Sequence, residues 1–240
     1  MVSCLRGCTL IKGGIVGLLL GSALALTSAF AKPQQTQPQL HTAPTLVFAT
    51  SLTRSSLMVA IEEKLTRAYR QMGYQIRVEQ LPAGRSLAMA NAGRFDGELF
   101  RIADVEHDYA NLIRVPVPLA TIELHAFTRQ GISLPNDWTM QRNLRIGYVR
   151  GFRLASQVQT HGQVVQVTTA AQAVQMLMQD RIDVLLDDEA SVRSVLGPNF
   201  SEVSMAAPVL AQAELFHYVH QKHHDVATQL AAVLAKNTTR

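Results

Sequence analysis

Four short runs carry the residue types that could recognise or transform a small molecule. The first ends at Arg101, where FDGELFR brings Asp96, Glu98 and Arg101 together in one strand-like segment. The second is Asp187-Asp188-Glu189, three acids directly after the apolar Val184–Leu186. The third is Arg150-Gly151-Phe152-Arg153, which follows LRIGYV. The fourth is the loop from Thr50 to Ser56, crowded with hydroxyls around Arg54. Arginine forks suit bidentate capture of a carboxylate, and buried carboxylates suit an ammonium group or, with a raised pKa, acid–base work. Three adjacent acids are costly if all are close and dry, so one is expected to face a cleft, one to cap the next helix and one to face water. Plainer readings stand beside these. An Asp-Gly pair is often only a turn, an arginine after a strand is often only solvated, and Ser55 or Ser56 reads first as a helix cap.

Histidine offers less. His107 lies among Asp104, Glu106 and Asp108, and His217, His220, His223 and His224 lie close together near the end of the chain. Neither spacing matches a metal site, and strand alternation sends His217 and His220 to opposite faces. No metal and no cofactor are expected. Glu98, His107 and Glu123 are candidate acids or bases, but they form no evident catalytic pair.

These groups need elements to hold them. Thr45–Ala49 reads as a buried strand, and Leu57, Ala60, Ile61, Leu65 and Ala68 recur at helical spacing up to Met72. Tyr74–Leu81 alternates as a strand with Ile76 and Val78 inward. Ser86 is placed to cap a short helix Leu87–Ala92, ended by Gly93, before the strand Phe95–Phe100, in which Gly97 suggests a close approach by another group. Strand, helix, strand, helix, strand is the order of an α/β layer with a mostly parallel sheet. Ile102–Asn111 reads as a turn of helix, and Leu112–Val117 and Ile122–Thr128 as extended runs. The polar stretch Arg129–Arg142 marks a domain boundary. A second series then begins: strand Leu144–Val149, helix Leu154–Thr160, strand Val164–Val167, helix Ala170–Met178, strand Val184–Leu186 and helix Ala190–Leu196. Ser204–Pro208 and Leu215–Val219 are extended, and an amphipathic helix Asp225–Ala235 closes the chain. In an open α/β sheet, ligands sit beyond the carboxyl ends of the strands, where Arg101 and Asp187–Glu189 fall.

The chain has 240 residues, 48% of them hydrophobic, enough for one large domain or two small ones. Arg6 and Lys12 precede an apolar run from Ile15 to Leu26, and Ala29-Phe30-Ala31 gives a small-x-small cleavage pattern. Residues 1–31 therefore read as a cleaved secretory signal, and 32–44 as a flexible lead-in. Cys4 and Cys8 would leave with the signal, so the exported protein would have no cysteine. Loss of Arg6 and Lys12 takes the formal charge from +4 to +2, too little to suggest nucleic acid or an anionic membrane.

GRFDGEL at 93–99, LRIGYVRG at 144–151 and QAVQMLMQDRIDVLLDDE at 172–189 resemble the family 3 extracellular solute-binding proteins, periplasmic receptors for polar amino acids that feed ABC importers. The similarity spans the chain from about Thr45 to Ala235. It implies a two-lobed α/β fold of the type II periplasmic-binding-protein kind, with a ligand cleft between the lobes. Lobe one would comprise 45–128 and a return segment 210–240, and lobe two would comprise 129–209. By this resemblance Asp188, with Asp187 a rival, takes a ligand's ammonium group, while Gly151, Phe152 and Arg153 form the loop that meets a carboxylate. Arg153 stands where the family has threonine or serine. The family's carboxylate-binding arginine falls near Asp108, leaving Arg101 to reach the cleft instead. The ring that commonly follows the first strand is absent from Thr50–Ser56. The site expected is thus Thr50, Arg54, Glu98, Arg101, Gly151, Phe152, Arg153, Asp187 and Asp188. The function implied is capture of a small polar or acidic solute, amino acids among the candidates, by a monomeric periplasmic protein that presents it to a membrane permease or sensor. Two alternatives are a periplasmic enzyme on the same scaffold, similar to cyclohexadienyl dehydratases, and an accessory protein with an altered site.

Overall fold

The computed structural model describes residues 43–238 except Asp104 and Ala207. The expected signal segment, both cysteines and most of the lead-in lie outside the described residues. The fold is a two-lobed α/β architecture of the type II periplasmic-binding-protein kind.

The first half runs β1 (Thr45–Thr50), α1 (Ser56–Gln71), β2 (Gln75–Gln80), α2 (Ala83–Asn91), β3 (Gly97–Ile102), α3 (Val105–Asp108) and β4 (Leu112–Arg114). A long strand β5 (Ala120–Arg129) leads into the second half: β6 (Arg145–Val149), α4 (Arg153–Ser156), β7 (Gln163–Val167), α5 (Ala170–Met178), β8 (Val184–Asp187), α6 (Glu189–Leu196) and β9 (Val203–Met205). A second long strand, β10 (Ala211–His220), and α7 (His224–Thr238) complete the chain.

The strands follow the order β2-β1-β3-β10-β5-β8-β6-β7, with β4 on β10 and β9 on β5. β1 pairs parallel with β2 and β3, and β6 pairs parallel with β7 and β8. Antiparallel β5 and β10 join these two parallel groups. β5 pairs with β10 over Ala120–Leu124, then with β8 over His125–Phe127. β10 turns from β5 to β3 at Leu215. The carboxyl ends of β1, β3, β6 and β8 lead into the loops where the candidate residues lie.

Local chemistry explains most of the elements. Ser55 caps α1 by accepting from the Met58 N–H at 3.3 Å. Met58, Ile61, Leu65, Ala68 and Tyr69 then form its buried stripe. Thr169 caps α5 in the same way through the Gln172 N–H. β8 is buried along its whole length, as an apolar parallel strand with both faces covered should be. Gly97 is required by sterics: a Cβ there would lie 2.1 Å from the Tyr218 carbonyl oxygen of β10.

Three of the boundaries that differ from expectation bear on the site. Helix α2 starts at Ala83, because Pro82 already sets the entry φ at −53°, so Ser86 is inside the helix and caps nothing. Strand β3 continues to Ile102, which places Arg101 on the strand and not after it. Helix α4 stops at Ser156, four residues early, because Thr160 and His161 are drawn to the Thr139 carbonyl.

Candidate functional site

A cavity of about 100 Å³ lies where the loops of both halves meet. Ser51, Thr53 and Ser55 approach it from the β1–α1 loop, Ala83 and Leu87 from α2, and Phe100, Arg101 and Ile102 from β3. The second half contributes Val149 at the end of β6 with Gly151, Phe152 and Arg153 beyond it, and Asp187 at the end of β8 with Asp188 and Ser191 beyond it. Most of the wall is apolar, so its few charged groups decide what it can hold.

Arg101 has a side chain 13% exposed and forms an ion pair with Glu98. Glu98 is fully buried beneath the wall, and its Oε2 accepts from the Ser86 hydroxyl at 2.5 Å. Arg101 Nη2 also donates to Ser86 Oγ at 3.3 Å, which closes a three-membered network. Burial pushes the Glu98 carboxyl up to about 7, against the opposing pull of Arg101 and the Ser86 hydrogen bond. Arg101 Nε is buried and has no hydrogen-bond partner among the described residues.

The three acids after β8 divide their work. Asp187 lines the cavity and is 4% exposed. Its Oδ1 accepts from the Asp188 N–H at 2.9 Å, while its Oδ2 is buried without a hydrogen-bond partner among the described residues. Burial pushes its carboxyl well above the ordinary range, and the neighbouring Asp188 charge adds to the effect. Asp188 caps α6, accepting from the Ser191 N–H at 2.9 Å and from the Ser191 hydroxyl at 2.5 Å. Glu189 faces outward and pairs with Arg193 at 2.5 Å.

Across the cavity mouth, Arg153 at the start of α4 forms an ion pair with Asp108 at the end of α3. Both residues depart from the pattern of the family that the sequence resembles, and here they meet. Gly151, with φ +85°, sits so close to α2 that a Cβ would be 3.0 Å from the Ala83 Cβ.

Six of the nine expected residues therefore line one cavity: Arg101, Gly151, Phe152, Arg153, Asp187 and Asp188. Glu98 supports it from below. Thr50 is fully buried at the end of β1 with its hydroxyl unpartnered, and Ser51 takes the wall position. Arg54 is not brought to the cavity. It is exposed and pairs with Glu62 at 3.4 Å on α1. Ser86, Ser191 and Asp108 were not singled out as site residues. Only the Asp-x-x-Ser spacing from Asp188 to Ser191 offered a signal, that of a helix cap.

A wider groove of about 400 Å³ shares Leu57, Ile122 and Asp188 with the cavity and opens past Glu123, His125 and Arg193. The histidines disperse. His217 Nε2 meets the Tyr69 hydroxyl at 2.8 Å and its Nδ1 meets the Leu99 carbonyl at 2.9 Å in the core, where burial lowers its pKa to about 4. His223 pairs with Asp96 at 2.7 Å. Among the described residues no group of three or more metal-ligating side chains is placed to hold an ion.

No family model matches the chain. An uncharacterized protein of Shewanella oneidensis is 27% identical over 183 residues, covering 71% of this chain and 68% of that protein. The fold is similar to that of the arginine-bound, truncated ArgBP from T. maritima, with a TM-score of 0.66, 12% identity and coverage of 80% of this chain and 95% of the other. It is also similar to the VFT2 domain of Bordetella pertussis BvgS, with a TM-score of 0.63, 14% identity and coverage of 80% and 87%. A histidine kinase sensor domain with similarity to periplasmic binding proteins gives a TM-score of 0.67 at 12% identity, with coverage of 82% and 92%. At these identities the likeness establishes the fold and leaves the ligand to the site itself.

Proposed function

We propose that this protein is an extracytoplasmic solute-binding protein that holds a small polar solute in the cavity between its lobes and presents it to a membrane permease or sensor. The lobes are taken as 45–128 with 210–240, and 129–209. One observation carries the reading. One cavity where the two halves meet is lined by Arg101 and Asp187, and each of these residues carries a buried polar atom, Nε and Oδ2, with no hydrogen-bond partner among the described residues. Buried polar atoms are ordinarily paired, and a solute bringing one acceptor and one donor would pair both. The preformed network around Arg101 and Asp188 also argues against an accessory protein with a disused site. ArgBP and the sensor domains with this fold agree in kind, since their names tie the fold to arginine or to sensing.

The enzyme alternative gains from Glu98, whose pKa near 7 suits acid–base work. Against it, Ser86 and Arg101 already occupy the Glu98 carboxylate, which lies beneath the wall and not on it. A thermal-shift screen of the purified protein against amines, amino acids, carboxylates, polyols and short peptides tests the proposal. A ligand that binds the native state raises the transition by linkage. A shift lost in both Asp187→Asn and Arg101→Gln is expected. Consumption of that ligand would favour the enzyme, and no shift from any class would contradict solute capture.

A further inference from the structure

We propose that the cavity selects a small primary amine that carries no carboxylate, because Asp187 is the one carboxylate on its wall with an oxygen that accepts no hydrogen bond among the described residues. This rests on the solute-binding reading above and names its ligand class. Four charged side chains line the cavity: Arg101, Arg153, Asp187 and Asp188. Arg101 is held by Glu98 and Ser86, and Arg153 by Asp108. Both oxygens of Asp188 are engaged by Ser191 at the start of α6. Asp187 accepts the Asp188 N–H on Oδ1 and stands against the Asp188 carboxyl, while Oδ2 has no hydrogen-bond partner among the described residues.

Counting arginines therefore misleads, and the acidic solute expected on that count meets an obstacle. A ligand carboxylate arriving at Arg101 would stand beside Glu98, which is fully buried and cannot swing into water. Two carboxylates forced together in a dry site repel strongly, and the arginine cannot neutralise both. What Arg101 still offers is the single Nε–H, which a neutral oxygen can use without adding charge. An ammonium group at Asp187 would bring a donor for Oδ2 and place a positive charge beside the adjacent carboxyls of Asp187 and Asp188. It would also draw the Asp187 proton off, reversing the upward push that burial and Asp188 exert.

Size and wall chemistry fit the same class. The cavity volume of about 100 Å³ is small beside the roughly 300–1,000 Å³ of sites for drug-sized ligands. Leu87, Val105, Ile122 and Phe152 suit a short apolar body. Ethanolamine and n-propylamine have this form.

Calorimetric titration of the purified protein with ethanolamine, n-propylamine, β-alanine, propionate and n-propanol at mildly alkaline pH tests the proposal. These probes have nearly the same size and differ in charge. The amines are expected to bind at least about tenfold more tightly than β-alanine or propionate, with n-propanol weak. Asp187→Asn should lose the amines, and Glu98→Gln, which frees the Arg101 charge, should gain propionate or β-alanine. The ranking in the unaltered protein needs no variant to fold. If β-alanine, propionate or n-propanol bound best, the amine proposal would be overturned while solute capture stood. If no probe of this set or of the wider screen bound, both would fall.

Discussion

Replacing Glu98 by glutamine should remove a specific pH dependence of stability. Glu98 is fully buried, and burial pushes its carboxyl up to about 7 in the folded protein from the ordinary value of 4.5. The folded state therefore holds this proton more tightly than the unfolded state, and stability falls as pH rises from 4.5 through 7. The difference of 7 from 4.5 corresponds to on the order of 3 kcal/mol at about 1.36 kcal/mol per pH unit. His217 works the other way. Burial lowers its pKa from 6.5 to about 4, so the folded state takes up fewer protons and stability rises with pH over that window. The two groups nearly cancel between about pH 4.5 and 6.5, and the parent's curve alone would hide both. The difference between Glu98→Gln and the parent isolates Glu98, because glutamine resembles the protonated acid. Urea unfolding at several pH values gives that difference. Near pH 5 the two proteins should lie within about 1 kcal/mol. Near pH 8 the variant should have gained on the parent by on the order of 3 kcal/mol, or about 1–2 M in urea midpoint. A difference that stays constant from acid to alkaline pH would refute the reasoning and show Glu98 ionised throughout by its pairing with Arg101.

Other expectations follow from single contacts. Gly97→Ala should unfold the protein or cost several kcal/mol, on the order of 3 or more, in a circular dichroism melt, because β10 backbone occupies the space of the new methyl. His217→Phe should cost about 1–3 kcal/mol in denaturant titration by leaving the Tyr69 hydroxyl and Leu99 carbonyl unpaired, and should remove the acid-side rise in stability. Arg153→Ala or Asp108→Ala should change stability by less than about 1 kcal/mol, since the pair is partly exposed. Either should still loosen the cavity mouth, seen as a larger radius of gyration by small-angle scattering. The exchange Asp108→Arg with Arg153→Asp should restore it.

The sequence made some of this site legible and concealed the rest for physical reasons. A split of Asp187, Asp188 and Glu189 between cavity, cap and surface was legible because the rules involved are local: a buried strand ends, a helix begins, and a cap needs an acceptor three residues before a donor; which acid takes which place was not, since the resemblance put Asp188 first at the ligand and Asp188 is the cap. Gly97 announced a close neighbour because glycine within a strand has few other uses. The network of Ser86, Glu98 and Arg101 depends on how α2 packs against β3, and Pro82 shifted that helix start by four residues from the expected Leu87 to Ala83. The pair Arg153–Asp108 joins residues 45 apart on different halves, so two separate departures from the family pattern concealed one interaction. Arg54 looked equivalent to Arg101 in the sequence, yet α1 gave it a partner of its own in Glu62.

The central claim is that a solute pairs Arg101 Nε–H and Asp187 Oδ2 within one cavity. Proton–nitrogen correlation spectra of the labelled protein, recorded during titration with the best-binding solute, test it most directly. The account predicts that the Arg101 Nε–H signal and the Asp188 amide, which reports on Asp187 Oδ1, move together and saturate at one concentration. Shifts confined to Glu123, His125 and Arg193 of the outer groove, with Arg101 Nε–H unmoved, would contradict it.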